Sequence, residues 1–347
     1  MRHTFLICAA LSAFTWSACG SGRSPTAPTG PSDFAAQFDA LWTTFDREYS
    51  YFVHKQIDWN ALRATYRPRA LAAPDQVSFM GVIREMLGNL HDGHVVVRDP
   101  GGATIPTYTS DAFVNFDRSV WQQYMARANF TPGASDWGYG VLDGVPYIFI
   151  GGWGSNSIRS ADFDVALERF RSAPMLIIDV RNNPGGNDSL AFEIAGRFMR
   201  TSVVFGSVRF RNGPLHTDFG APTQRVVNPR GPWTYDGRVL VLIGRRCASS
   251  NESFIAAMAQ LPNVTVAGDR TAGSTGNPGT FQLANGWSYT VSRWIEYLND
   301  GQVIEDIGIS PQVFVAASAG DFAQGRDPVL DWAVGARARS GLIYGGL

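Results

Sequence analysis

Three short apolar runs, each ended by a turn and followed by a helical pattern, constrain this chain most. "VPYIFI" starts at Val145, "PMLIIDV" at Pro174 and "GRVLVLIG" at Gly237. Their apolar character is nearly continuous rather than alternating. A strand of that kind is buried on both faces, and only a sheet with helices on both sides buries it so. The segments between them have the right pattern: "SADFDVALERFRS", "DSLAFEIAGRFM" and "ESFIAAMAQL" each read as a helix, and "VTVAG" reads as a further strand. Strands alternating with helices predict an α/β core with a mostly parallel sheet over residues 141–347. Within it, "TFQLANGWSYTVSRW" reads as a hairpin turned at Asn285-Gly286. "RDPVLDWAVGAR" reads as a closing helix, with Asp327 as its cap and Pro328 just inside.

The remainder of the chain is of a different kind. Phe34, Phe38, Leu41, Trp42, Phe45 and Tyr49 share one helical face, and two more helical patterns follow. Residues 32–98 are expected to form a helical subdomain, with 99–140 connecting it to the core. Residues 1–19 have a basic start, a short apolar stretch and small residues before Cys19, the pattern of a secretory signal. "WSAC" is similar to a bacterial lipobox, which would make Cys19 the lipidation site. Residues 20–31, rich in Gly, Ser, Pro and Thr, read as a flexible tether. The expectation is a lipoprotein of the bacterial cell envelope, anchored in the membrane through Cys19 and facing the periplasm or the exterior; plain secretion is the alternative. The net charge of −1 gives no sign of a nucleic-acid partner. With Cys8 removed in the signal and Cys19 acylated, Cys247 is the one thiol left and reads as a small semi-buried residue.

Five stretches could carry chemistry, each with a plainer reading beside it. In "LIIDVRNNPGGND" a buried strand runs into Gly185-Gly186 and a helix start, which suits an oxyanion or simply a tight turn. In "VLIGRRCASSNESF" a strand, a sharp turn and a helix would present a serine, yet Ser249 to Glu252 also fits a capping box. The two readings are compatible. In "LHDGHVVV" His91 and His94 are three apart; a general base is the better functional reading, since no further metal ligands are visible. "GDRTAGSTG" misses a phosphate loop because Ser274 stands where lysine is required. In "GQVIEDIGISP", Glu305 and Asp306 follow a turn. No cofactor and no metal are expected.

The order of these stretches is more specific than any one of them. "SYF", "DW", "HDGH", "IDVRNNPGG", "ASSNE", "GDRTAG" and "GQVIEDIGISP", over roughly 32–311, together resemble the C-terminal processing (tail-specific) peptidase family. The resemblance implies a crotonase-like α/β core and Ser249 as nucleophile. It implies an oxyanion hole from the amide of Ser250 and a glycine, Gly185 or Gly186. The best-known branch pairs its serine with a lysine, but that position is Ser274 here. The chain has a single lysine, Lys55, in the helical subdomain, and arginine does not give up its proton. Histidine is then the remaining base. "HDGH" and "VIEDIGISP" are similar to the tricorn-protease branch, which implies His94 as base and Glu305 as its orienting carboxylate. The stretch between His94 and Tyr147 is too short for a PDZ domain. The activity implied is serine peptidase hydrolysis of a peptide or protein substrate. A non-catalytic ligand-binding protein on the same fold, or an esterase, are the alternatives.

Overall fold

The computed structural model describes residues 31–343 apart from 155 and 156; the expected signal, lipobox, Cys19 and all of the tether but Pro31, which begins a helix, lie outside the described residues. In chain order, α1 spans Pro31–Glu48, α2 Trp59–Leu71 and α3 Gln76–Gly88. Then come β1 Val96–Arg98, β2 Thr104–Pro106, α4 Arg118–Arg127, β3 Thr131–Pro132, β4 Trp137–Leu142 and β5 Val145–Ile150. Next are α5 Ser160–Arg169, β6 Met175–Asp179, α6 Asp188–Ala195, β7 Val203–Phe210, β8 Thr223–Val227 and β9 Arg238–Ile243. The rest are α7 Ser250–Met258, β10 Val264–Gly268, β11 Gly279–Gln282, β12 Ser288–Val291, β13 Trp294–Leu298, β14 Val313–Phe314, α8 Ala319–Ala323 and α9 Pro328–Ile343.

The central sheet has the order β14-β10-β9-β6-β5-β4-β3. Pairing is parallel from β14 to β5, and antiparallel for β4 and β3. The apolar runs behave as their composition requires. In β6, Leu176 and Ile178 enter the core formed with α5, α6 and α7, while Met175 and Ile177 enter the core formed with α4 and α9. β9 divides in the same way, Val239, Val241 and Ile243 to one side and Leu240 and Leu242 to the other. The mixed α/β architecture with a mostly parallel sheet thus follows from strands that are apolar on both faces.

Two expected boundaries shift. The segment 99–140 is more than a connection, because α4 packs on the core and β3 and β4 extend the central sheet. The helical region is completed by residues far along the chain. The hairpin turned at Asn285-Gly286 pairs with β1 and β2 in a four-stranded sheet. Its Tyr289 stacks on Phe45 of α1 at 5.7 Å, and Val291 joins the same buried cluster. Three amphipathic helices alone leave an apolar face uncovered, and this sheet covers it. A third sheet, β13-β7-β8, flanks the core beside α6 and α7.

Candidate active site

The C-terminal ends of β6 and β9 lead into loops 180–187 and 244–249, the place where open α/β sheets present their chemistry. A buried ion network fixes the first loop. Arg181, fully buried, donates to Asp179 Oδ2 at 2.8 Å and to Asp327 Oδ1 at 2.9 Å, and so ties the end of β6 to the cap of α9. Asn251 of α7 then holds the turn that follows. Its Nδ2 donates to Val180 O and Asn183 O, and its Oδ1 accepts from Trp153 Nε1.

Ser249 is the N-cap of α7, with φ 55° and ψ −130°. A side chain other than glycine rarely adopts that backbone, and its strain is characteristic of a residue held at a functional corner. The side chains of Ser249 and Glu252 face each other's backbone amides in a capping box, and among the described residues the Ser249 hydroxyl donates its proton to no partner. The capping-box partner still acts, because Glu252 Oε2 lies 3.3 Å from Ser249 N. Ser249 N also donates to Ser274 O at 2.8 Å. Both sequence readings of this stretch therefore coexist: the glutamate caps, and the serine hydroxyl remains available.

The Gly-Gly turn faces this corner. Gly185 has φ +107°, and a Cβ there would lie 2.7 Å from Ala248 O, 2.8 Å from Ser249 Cβ and 3.2 Å from Ser250 N. No other residue fits so close an approach. Gly185 N donates to Asn183 Oδ1 at 2.8 Å, and Gly186 O accepts from Ser250 Oγ at 2.8 Å. The amide of Ser250, first in α7, has no partner within its own helix. Cys247 is fully buried, with its thiol donating to Val180 O at 3.2 Å. Burial pushes that thiol up, away from thiolate chemistry.

Glu252 does more than cap. Fully buried, it accepts from Thr271 Oγ1, from Gly273 N at 2.8 Å and from Ser274 N at 2.9 Å. The loop 269–276 is thereby wrapped around one carboxylate and held against Ser249. Burial raises Glu252 to about 7 despite these donors. The glutamate of the S-x-x-E pattern was readable as a cap; its role as the hub of a distant loop was not.

His94 lies across that loop from Ser249. Its Nδ1 is 3.1 Å from Ser274 Oγ and 3.9 Å from Asp92 Oδ1. Asp92, itself fully buried, also accepts from His94 N at 2.8 Å and from Ser292 Oγ at 2.8 Å. Burial lowers the His94 pKa, and Asp92 only partly opposes it, so the imidazole is held neutral. Gly93 leaves room for Ser274, since a Cβ there would sit 3.2 Å from Ser274 Oγ. Ser274, at the position where the resemblance made lysine the expectation, thus bonds Ser249 through its carbonyl and His94 through its hydroxyl. Among the described residues no hydrogen bond joins Ser249 Oγ to His94. His91 is turned elsewhere, stacked on Tyr108 at 5.1 Å.

Two expectations are corrected here. Lys55 belongs to the helical region in sequence but not to a remote place in space. Its Nζ lies 2.9 Å from Glu305 Oε1 and 2.5 Å from Asp306 Oδ1, and it also donates to His91 O at 3.3 Å. The reason is that the loop after α1 is folded back over the site. Burial alone would lower the lysine's pKa, but Glu305 and Asp306 outweigh it and hold Lys55 as an ammonium. Glu305, expected beside the imidazole, instead bonds Lys55 and accepts from Thr275 N at 2.9 Å; none of its hydrogen bonds reaches His94. A buried carboxylate takes the nearest cation, and here that is Lys55.

A strained serine at a strand-to-helix corner, a Gly-Gly turn against it and a neutral imidazole one loop away define a site of the serine-hydrolase class. Among the described residues, no group of three His, Cys, Asp or Glu could hold a metal ion. Residues 145–315 match the family model for peptidase family S41, and residues 31–88 match that for the tricorn protease C1 domain. The chain belongs to the C-terminal processing peptidase family. It is 31% identical to tricorn protease homolog 2 of Streptomyces coelicolor, over 50% of this chain and 14% of that protein. It is 29% identical to the carboxy-terminal processing protease CtpA of Bacillus subtilis, over 46% of this chain and 32% of that one. A crystal structure of a Parabacteroides merdae protein assigned as a peptidase matches with a TM-score of 0.78 and 28% identity, covering 88% of this chain and 96% of that one. The chain thus spans well under half the length of these two curated relatives.

Proposed function

We propose that this protein is a serine peptidase in which Ser249 attacks the carbonyl of a peptide or protein substrate. The observation that carries the reading is the Ser249 corner itself, a strained residue pressed against Gly185 whose hydroxyl proton has no acceptor among the described residues. His94, neutral at physiological pH, takes the serine proton and later returns it to the leaving amine. Ser274 and Asp92 orient the imidazole. The closing of the Ser249–His94 hydrogen bond accompanies substrate binding, as catalytic bonds often do. Glu305 supports the base at one remove, by pairing with Lys55 and holding the loop at Thr275. The oxyanion is received by the amides of Ser250 and Gly186, because Gly185 N–H is already bonded to Asn183. Each such donor is typically worth ~3 kcal/mol in the transition state. We propose further that Cys19 carries a lipid anchor; recovery in the membrane fraction, lost in Cys19→Ala, is the expected result.

A fluorophosphonate probe tests the nucleophile. Wild-type protein should label at Ser249 and cleave peptides. Ser249→Ala should lose both with its circular dichroism unchanged, and Ser250→Ala should retain both. A folded wild type that never labels, from neutral to mildly alkaline pH, overturns the reading in favour of a ligand-binding protein. Turnover of simple esters without peptide cleavage redirects it to an esterase.

A further inference from the structure

A cavity of about 400 Å³ opens beside Ser249. Its wall includes Gly186 and Ser250, and also Asp188, Glu296 and Trp294. Glu296 comes from β13 and is only 1% exposed; Asp188, the first residue of α6, is half-buried, with 29% of its side chain exposed. Buried carboxylates are costly unless a partner compensates them. Here the compensation is partial. Arg225 of β8 puts Nη2 2.7 Å from Asp188 Oδ2 and Nε 3.5 Å from Glu296 Oε1. Ser253 Oγ donates to the same Glu296 Oε1 at 3.0 Å. All of these contacts use one oxygen of each acid. Among the described residues, no hydrogen bond reaches Asp188 Oδ1 or Glu296 Oε2. One cation serves two acids, so the wall keeps two unused acceptor oxygens and, with both acids ionised, one net negative charge.

We propose that this cavity receives the side chain of the residue whose carbonyl Ser249 attacks, and that Asp188 and Glu296 make it select lysine or arginine there. The assignment rests on the reading of Ser249 as nucleophile. A long basic side chain lays its methylene stem along Trp294 and brings donors to the two free oxygens. A leucine leaves both acceptors without a donor in a confined space, and a glutamate is repelled. Burial raises Glu296 to about 7, with Arg225 and Ser253 opposing and Asp188 reinforcing the rise; Glu252 and Tyr51 are the other titratable groups within its field. The preference for a basic residue therefore strengthens as pH rises through 7.

Two measurements separate this proposal from the one beneath it. The first needs no catalysis: calorimetric binding to Ser249→Ala of hexapeptides that differ only in a C-terminal Lys, Arg, Leu or Glu. The Lys and Arg peptides should bind about tenfold or more tightly than the Leu peptide, a margin within reach of a polar pocket. The margin should shrink in Glu296→Gln and in Asp188→Asn built on the same background. The second is cleavage by wild type of peptides varied at the same residue, with the same ranking in kcat/KM. Equal binding of all four peptides overturns the cavity assignment, whether or not the wild type cleaves. So does an undiminished margin in both acid variants. Failure of the wild type to label with fluorophosphonate, with the binding ranking intact, overturns the nucleophile and leaves the cavity's preference standing.

Discussion

In the proposed mechanism, Ser274 is the residue on which the base turns. It bonds Ser249 with its carbonyl and His94 with its hydroxyl, so its side chain helps set the imidazole's tilt. His94→Ala should lower kcat by roughly 10²–10⁴-fold, the range for a positioned general base. Ser274→Ala should cost less and leave KM nearly unchanged. In that mechanism the proton must be off His94 for attack, and burial holds its pKa below the ordinary 6.5. Activity should therefore rise with pH through a value under 6.5 and be flat above neutrality; a rise centred in the lysine range would sink the histidine mechanism. Lys55 is a partner and not a base, because Glu305 and Asp306 keep it protonated. Burial and the neighbouring Asp92 push the Glu305 carboxyl well above its ordinary range despite Lys55, so in Lys55→Met it takes up a proton, and the fold should lose less than the about 3–5 kcal/mol of an uncompensated buried charge. Lys55→Arg should recover most of that loss in a urea titration. Equal stability of wild type and Lys55→Met would show that the pair contributes nothing.

At the scale of elements, the site exists because two strand-to-helix connections meet. The turn after β6 and the start of α7 touch at Gly185, where a methyl group would be 2.8 Å from Ser249 Cβ. Gly185→Ala must move one element or the other, and its φ of +107° adds strain of about 1–3 kcal/mol. We expect fluorophosphonate labelling to fall steeply while α-helical content is retained. Labelling at the wild-type rate would mean that the two elements are not in register with the chemistry. The Gly-Gly turn was readable from "NNPGG" as a backbone that turns sharply. Which glycine amide stays free was not, because that depends on Asn183, two residues back, folding onto Gly185. The S-x-x-E pattern likewise announced a cap, yet nothing local indicated that Glu252 gathers Thr271, Gly273 and Ser274.

At the scale of the whole molecule, three buried glutamates, Glu252, Glu296 and Glu305, tie stability to pH, all raised chiefly by burial. Glu252 and Glu296 stand at about 7 in the fold against an ordinary 4.5, chiefly through burial. A carboxyl raised in this way takes up its proton more readily folded than unfolded. Its contribution is fully present below about 4.5 and is lost as pH rises through its raised pKa, about 7 for Glu252 and Glu296. The melting temperature should therefore fall from these three groups between pH 5 and 8, and the fall should be shallower in Glu296→Gln. An identical slope in that variant would show that Glu296 is not buried in solution as it is here. The sequence by itself determined the layered architecture, since strands apolar on both faces admit few other arrangements. It also determined the strand-to-helix corner of Ser249, the glycine turn and the closing helix capped at Asp327, because turn and cap chemistry is local. Only the tertiary structure decided the partners of the charges. Lys55 and Glu305 are 250 residues apart along the chain and 2.9 Å apart in space. Tertiary contact likewise set Ser274 against His94, and Asp188 and Glu296 in one cavity wall. Electrostatic pairing depends on distance and burial, and neither is encoded in the spacing of residues along a chain.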